Sequence, residues 1–475
     1  MAISHRHWLE LLRRARSCSD PFAAAALYPH AAGGHREALA QRLFQARADC
    51  LQLAAAPFLP ASVLSALAQR CAHDEMVLVR LARNPATPAH ALAHVWDAAR
   101  SARTCELLAR HPNTPRMVLA ALAGCNPTPP VLRALCENTG VAPELLADLE
   151  RRHPAGLERL LAVNLATDAR TLDTLWQSTV EPAVRAQILL HPACPARLLT
   201  RLPDGVLERR SLARQVRTSA DLLARLAADG DAAVRRAAAA QAALPMAALL
   251  TLCFDRDAGV RRTIAGRADL PPRLVDWLLE DADVWVRRTV ARNAACPVDR
   301  LTRLAGDAEA DVRRGVARHP ACPPELLERL SLDPVPWVQA GVAYRHDISV
   351  QLVRRLARST DIDVLAGVAQ QREVSPTRLA ALARHDSPDV RRAVILNRHA
   401  SRSVLLMLRK DGYALHRALL VDHPHLTDAD RWRMRNDPDS QVRFRVFAHF
   451  ARQAGEAFCL PRQERAAPLR TMETI

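Results

Sequence analysis

Val312-Arg-Arg-Gly-Val316-Ala-Arg-His319-Pro320-Ala-Cys322-Pro323-Pro-Glu-Leu326-Leu327-Glu-Arg-Leu330 is the stretch that decides the fold. Val312 and Val316 stand four apart, the spacing of one buried helical stripe. His319-Pro320 ends that helix, because the residue before a proline is pushed out of the helical region. Cys322-Pro323 opens a second helix, since a first turn tolerates proline. Leu326, Leu327 and Leu330 give the second helix its apolar face. Each helix is only about 8 to 11 residues, too short to be stable alone in water. Such a unit must be stabilised by its neighbours.

The neighbours are copies. Val234, Val260, Val286, Val312, Val338, Val364 and Val390 follow one another at 26 residues, and His416 and Val442 continue the register. Four residues after each comes Ala238, Ile264, Val290, Val316, Val342, Val368, Val394, Leu420 and Val446. Leu252, Leu278, Leu304, Leu330, Leu356, Leu382 and Leu408 repeat at the same period in the second helix. A slip of one residue would turn a helical side chain by about 100°, so one register means one packing solution repeated. Upstream, a polar residue after each first helix marks looser copies: Asn84, His111, Asn138, Asn164, His191 and Gln215. The shortened gap between the last two falls at Leu202-Pro203-Asp204-Gly205, a turn sequence. The expected fold is all-α, an α-solenoid of about 15 two-helix repeats of about 26 residues. Residues 1–70 read as an N-terminal helical cap and 71–452 as the repeats, with a joint near 202–207. Residues 453–475 read as a tail.

The composition agrees. Apolar residues make up 49% but aromatics 4%, as a core of thin Leu, Ala and Val layers requires. With 15 glycines, phosphate-cradling loops are hard to build, and no nucleophile, dinucleotide or metallohydrolase motif occurs. The chain is therefore read as non-enzymatic and without cofactor. The 11 cysteines lack paired spacing, which fits a reducing cytoplasm. No run approaches the roughly 20 apolar residues of a membrane span, and the N-terminus lacks the apolar core of a signal peptide.

Net charge is +16, and the excess lies toward the C-terminus. Only Lys410 is a lysine; the remaining cations are arginines. The first Arg after each Val (Arg235, Arg261, Arg287, Arg313, Arg391, Arg417, Arg443) has an acid six residues earlier in several units, such as Asp229 and Asp255. That column reads as a ladder of ion pairs within or between units. The second column, Arg236, Arg262, Arg288, Arg314 and Arg392, has no acid at matching spacing. Guanidinium groups recurring at about 8–10 Å form either a solvated face or a rail for bidentate anions. Trp285 and Trp337 occupy one slot just before the Val, and Trp285 shares a helix face with Arg288. Arg391, Arg392, Arg431, Trp432, Arg433 and Arg435 form a second basic candidate. The polar column after each first helix reads as hydrogen-bonding helix-end carbonyls; its members are a layer apart, too far to share a metal. Thr87-Pro88, Thr114-Pro115 and Ser375-Pro376 put a hydroxyl in the capping slot of the second helix.

The unit Val-Arg-Arg-x-Val-Ala-x-His-Pro-x-Cys-Pro-x-x-Leu-Leu at Val312 to Leu327, with the loops Asn84-Pro85-Ala86-Thr87-Pro88 and His111-Pro112-Asn113-Thr114-Pro115, resembles the leucine-rich repeat variant family. The resemblance spans about four fifths of the chain. It implies a right-handed superhelix of alternating α and 3₁₀ layers. In some members it also implies an N-terminal iron–sulfur centre. Cys18, Cys50 and Cys71 lie far apart in the sequence, so that cofactor is not carried over. The Arg/Asp spacing is also similar to HEAT-like repeats, some of which are DNA glycosylases.

Two functions are consistent with these features. One is a scaffold that binds a protein partner through Arg236, Arg262, Trp285, Arg288, Arg314 and Trp337. The other is nucleic-acid binding in a basic groove, glycosylase-like if Asp283 with Trp285 and Trp277 forms a reactive cluster. The oligomeric state cannot be read from the sequence.

Overall fold

The computed structural model describes residues 5–17, 20–31, 33–99, 101–152 and 156–459. Among them every regular element is helical. The described chain divides into two compact units: residues up to Gly140 together with those from Leu408 onward, and Val141–Met407.

Within Val141–Met407 the expected register is observed. Val234, Val260, Val286, Val312, Val338, Val364 and Val390 are all fully buried, as are the residues four positions on. A first helix such as Ala310–Ala317 is followed by a second such as Pro324–Leu330. First helices pack tightly on the first helices before and after them, whereas second helices touch one another far less. The stack in this unit therefore bends toward its first-helix layer. Glycines permit that close approach. A Cβ added at Gly367 would lie 2.8 Å from the Ala343 Cβ and 2.9 Å from its carbonyl carbon. At Gly315 it would lie 2.9 Å from the Ala291 Cβ.

Two expectations need correcting. The second layers are α-helical in most units rather than 3₁₀; the exception is Ala196–Leu199, a 3₁₀ turn just before the shortened joint. There the second helix of the unit is cut to four residues. The threonines are also not the caps. Pro88 and Pro115 themselves take the N-cap position, one residue later than expected. Thr87 and Thr114 turn back and donate to the carbonyls of Leu81 (2.7 Å) and Leu108 (2.6 Å) in the preceding helix. Ser375 does cap its helix, accepting from the Arg378 amide.

The polar column ties each unit to the one before. Asn293 Nδ2 donates to the carbonyls of Ala265 and Arg267, both at 2.7 Å. Asn84, Asn138, Gln215, Gln371 and Asn397 do the same in their units, and Arg267 and Arg345 use a guanidinium for it. His319 donates from Nε2 to the Asn293 carbonyl (2.9 Å) and accepts at Nδ1 from the Ala321 amide (3.1 Å). Helix-end carbonyls that would be orphaned are thus satisfied by the next layer.

In the other unit the chain's beginning covers its end. Pro21–Leu27 is buried at every residue and packs on the Ser440–Cys459 helix. Phe58 bridges them, its ring 5.5 Å from Phe22 and 5.1 Å from Phe444. Arg14 lies over Trp432 at 5.2 Å. The apolar end that an open stack leaves on its last repeat is closed by residues of the expected N-terminal cap. The last helix also runs beyond residue 452 to Cys459, into the segment expected to be a tail; residues 460–475 lie outside those described.

Candidate binding surface

The first Arg column is built into the fold. Arg235 donates from Nε and Nη2 to both carboxylate oxygens of Asp255 in the next unit (2.6 and 2.8 Å). Its Nη1 reaches the Asp229 carbonyl of its own loop (2.9 Å). Arg261–Asp281, Arg287–Asp307, Arg313–Asp333 and Arg417–Asp437 repeat this bidentate pairing. Burial pushes each of these aspartates up, but the guanidinium and a backbone amide outweigh it and hold the carboxyl below its ordinary range. Arg391 donates to the loop carbonyls of His385 and Asp386 in the same manner. Arg431 is buried and donates to the carbonyls of Val421, Leu426 and His423. Neither of these two is available to an exposed basic patch, and Arg392 lies in a different unit from Trp432, Arg433 and Arg435.

The second Arg column is different. Arg236 and Arg262 are exposed, and neither makes an ion pair among the described residues. Arg288 lies 5.0 Å from the Trp285 ring centre, and Arg314 lies 3.3 Å from that of Trp337, 23 positions later in the chain. Both tryptophans are more than two-fifths exposed. One correction follows for Arg288: Asp311 stands 3.8 Å away, so an acid is present after all. Asp311 fills in the middle unit the slot that Trp285 and Trp337 fill on either side.

Two arginines missed in the sequence complete this surface. Arg292 and Arg318 follow Arg288 and Arg314 by four residues, one helical turn along the same face. Both are exposed and make no ion pair among the described residues. Their spacing was available in the sequence, but they fall in a column that is not Arg elsewhere. Burial, then Arg318, Arg288 and Arg292, draw the Arg314 pKa down, with a smaller opposing pull from Asp311. The Nε of Arg314 is buried without a hydrogen-bond partner. Arg262, Gly266, Trp285, Arg288, Thr289 and Arg292 line a depression of about 410 Å³ between two layers. Here a cluster of arginines lies against two aromatic faces with a single nearby carboxylate, Asp311, among the described residues.

Asp283 serves as a helix cap. Its carboxylate caps the Val284–Arg292 helix, accepting from the Trp285 amide (2.9 Å) and the Val286 amide (3.1 Å). Trp277 lies in another depression, on the second-helix layer, with its ring 4.2 Å from Phe254. Trp285, Asp283 and Trp277 are therefore not assembled. Among the described residues, no group of three or more His, Cys, Asp or Glu is placed to hold a metal. Cys50 and Cys71, far apart in the sequence, do meet, with their sulfurs 3.6 Å apart in a buried contact. Cys18 lies outside the described residues, and two thiols do not make the four ligands of an iron–sulfur cluster. No described helix is long and apolar enough to cross a membrane.

Residues 284–309 and 310–335 match the family model of the leucine-rich repeat variant, one unit each. These two units are of the leucine-rich repeat variant type. Those two units contribute Trp285, Arg288, Arg292, Arg314 and Arg318 of the cationic surface. Among solved structures, a leucine-rich repeat variant described as having a novel repetitive structural motif is similar at 24% identity. The match covers 51% of this chain and 86% of that one, with a TM-score of 0.31. An engineered protein is similar at 16% identity over 91% and 98% of the two chains, with a TM-score of 0.15. No curated protein matches the chain. The buried valine column continues through the units on either side of these two, whereas the arginine and tryptophan positions vary from unit to unit.

Proposed function

We propose that this protein is a non-enzymatic cytoplasmic scaffold that binds an acidic protein partner along the first-helix layer of Val141–Met407. One observation carries the reading. The ladder arginines are satisfied, whereas among the described residues Arg262, Arg292 and Arg318 make no ion pair and Arg314 Nε has no acceptor. Uncompensated charge in one place costs stability, so its retention beside two exposed tryptophans points to a ligand that supplies the carboxylates. Trp and Arg are the residues that dominate protein interfaces, and stacked guanidinium groups are pre-oriented for bidentate acceptance by a carboxylate.

Nucleic acid is the second reading, and its glycosylase form finds no support in Asp283, whose carboxylate caps a helix. The test uses fluorescence anisotropy with a labelled polyglutamate chain and a labelled 20-base-pair duplex across a salt series. Polyglutamate is expected to bind the native protein and to lose binding with Arg292→Glu and Arg318→Glu, two exposed positions. Preserved helical circular dichroism is the folding control. Duplex binding that falls steeply with salt, without polyglutamate binding, would replace the scaffold reading.

A further inference from the structure

Gly266 is a glycine that the fold does not require. It follows the Ala258–Ala265 helix with φ −86° and ψ −2°, right-handed values open to any residue. A Cβ added there would meet nothing closer than the Thr289 methyl at 3.4 Å, an ordinary van der Waals contact. At Gly315 and Gly367, by contrast, a Cβ would collide with the preceding layer. In the column of Gly266 the next units carry Arg292, Arg318 and Tyr344, and a later one carries the exposed Leu396. What the glycine leaves is space. It opens the depression of about 410 Å³ that Arg262, Trp285, Arg288 and Arg292 surround.

Three arginines line this one opening, and no carboxylate does among the described residues. Arg262 comes from one layer; Arg288 and Arg292, one helical turn apart, come from the next. Among the described residues Arg262 and Arg292 make no ion pair, and Arg288 has Asp311 3.8 Å away. The other polar side chains of the lining are already engaged. Thr289 Oγ1 donates to the Trp285 carbonyl (2.7 Å), and Asn293 Nδ2 to the Ala265 and Arg267 carbonyls. Recognition here therefore falls to arginine. A carboxylate brings one charge and two oxygens to such a site. A phosphate monoester brings nearly two charges and three strong acceptor oxygens, the closer match to three guanidinium groups, which bind phosphate in a two-pronged fashion.

We infer, building on the scaffold reading, that the Gly266 depression takes a side-chain phosphate monoester of the protein partner. Carboxylates beside that residue lie on Arg314 and Arg318 of the following unit. The phosphoryl group sits between two layers, in the place that an arginine fills one and two units later. Arg288 is held ready for it by the Trp285 ring, 5.0 Å away.

The test uses labelled nine-residue peptides with four glutamates beside a central phosphoserine, phosphotyrosine or glutamate. In anisotropy titrations at pH 7.5 and 0.15 M salt, at least one phosphopeptide is expected to bind the native protein tenfold or more tightly than the glutamate peptide. Which of the two does so tells a hydroxyalkyl from an aryl phosphate. Gly266→Leu fills the depression without removing a charge. It should erase the preference and leave the glutamate peptide's affinity within about twofold. Arg292→Gln, at an exposed position, is the independent variant and should also cut the preference severalfold. Equal binding of all three peptides, or a preference that survives Gly266→Leu, overturns the phosphate site and leaves the acidic-partner reading standing. Tighter binding of a labelled 20-base-pair duplex than of either phosphopeptide overturns it in favour of a phosphodiester. No binding of any peptide by a protein with native circular dichroism overturns both readings.

Discussion

Arg443 and Asp20, 423 positions apart in the chain, form a rung that the other units build from residues 20 positions apart. The pattern would place an acid at position 463, which is Gln463. Asp20 supplies the missing carboxylate, while Arg443 Nη1 keeps the usual bonds to its own loop carbonyls of Asp437 (2.6 Å) and Pro438 (2.8 Å). Asp20 also caps the Pro21–Leu27 helix, accepting from the Phe22 amide at 3.2 Å.

These two roles can be separated. Asp20→Asn keeps a good cap but loses the charge, and is expected to cost about 1–2 kcal/mol. Asp20→Ala loses both and should cost about 1 kcal/mol more. Thermal denaturation followed by circular dichroism checks the order; equal melting temperatures for the two variants would show that the cap contributes nothing.

The ladder predicts acid sensitivity. The aspartates paired within the repeats, Asp255, Asp281, Asp307, Asp333 and Asp437, have folded pKa values below the ordinary one of about 3.9, so their contribution is full above that value and is lost as pH falls through the lowered folded values. Five paired carboxyls, Asp255, Asp281, Asp307, Asp333 and Asp437, titrate together. Helical signal at 222 nm should collapse steeply below about pH 4. Arg313→Lys keeps the charge but not the two-pronged geometry, and should move that midpoint upward.

His111 and His319 act in a higher pH window. Both hold a neutral ring, with Nδ1 accepting an amide, and burial lowers both pKa values. Their contribution is full above the ordinary value of about 6.5 and declines as pH falls below it. His319→Asn should be nearly neutral at pH 7.5 and should remove that unit's part of the decline, since Asn293 and Asn397 perform the same bridging. His319→Ala strands the Asn293 carbonyl and the Ala321 amide, and should cost about 1–3 kcal/mol. Urea unfolding at pH 5.5 and 7.5 measures both.

Gly367 tests the close approach of first helices. Alanine is the better helix former by about 1 kcal/mol, yet the new methyl would meet Ala343 Cβ and backbone at 2.8–3.1 Å. Backbone cannot give way as a flexible side chain can. Gly367→Ala is expected to be net destabilising by about 1–2 kcal/mol. Gain of stability in urea titrations would show that the layers have slack.

Much of the structure was legible because a repeat places like residues among like neighbours. The Val column, the carbonyl-bridging column and the ladder could all be read from spacing alone. Spacing failed where a residue acts outside its column. Arg292 and Arg318 lie where other units have Ala240, Gly266 or Gln370, so no column announced them. Trp277 and Trp285 are close in sequence to Asp283, yet Trp277 stands on the second helix of one unit and Trp285 on the first helix of the next. Thr87 was displaced from its expected cap by a one-residue shift of the helix start.

The sequence by itself determined the layered all-α fold, its core and the bonds that join one unit to the next, because each depends only on local period and on an identical neighbour. The tertiary structure alone decided that Asp20 completes the last rung, that the first-helix layer is the inner one, and that Trp337 lies over Arg314. Those contacts join residues from different units or from outside the repeat, where no fixed spacing exists and only packing selects the partner.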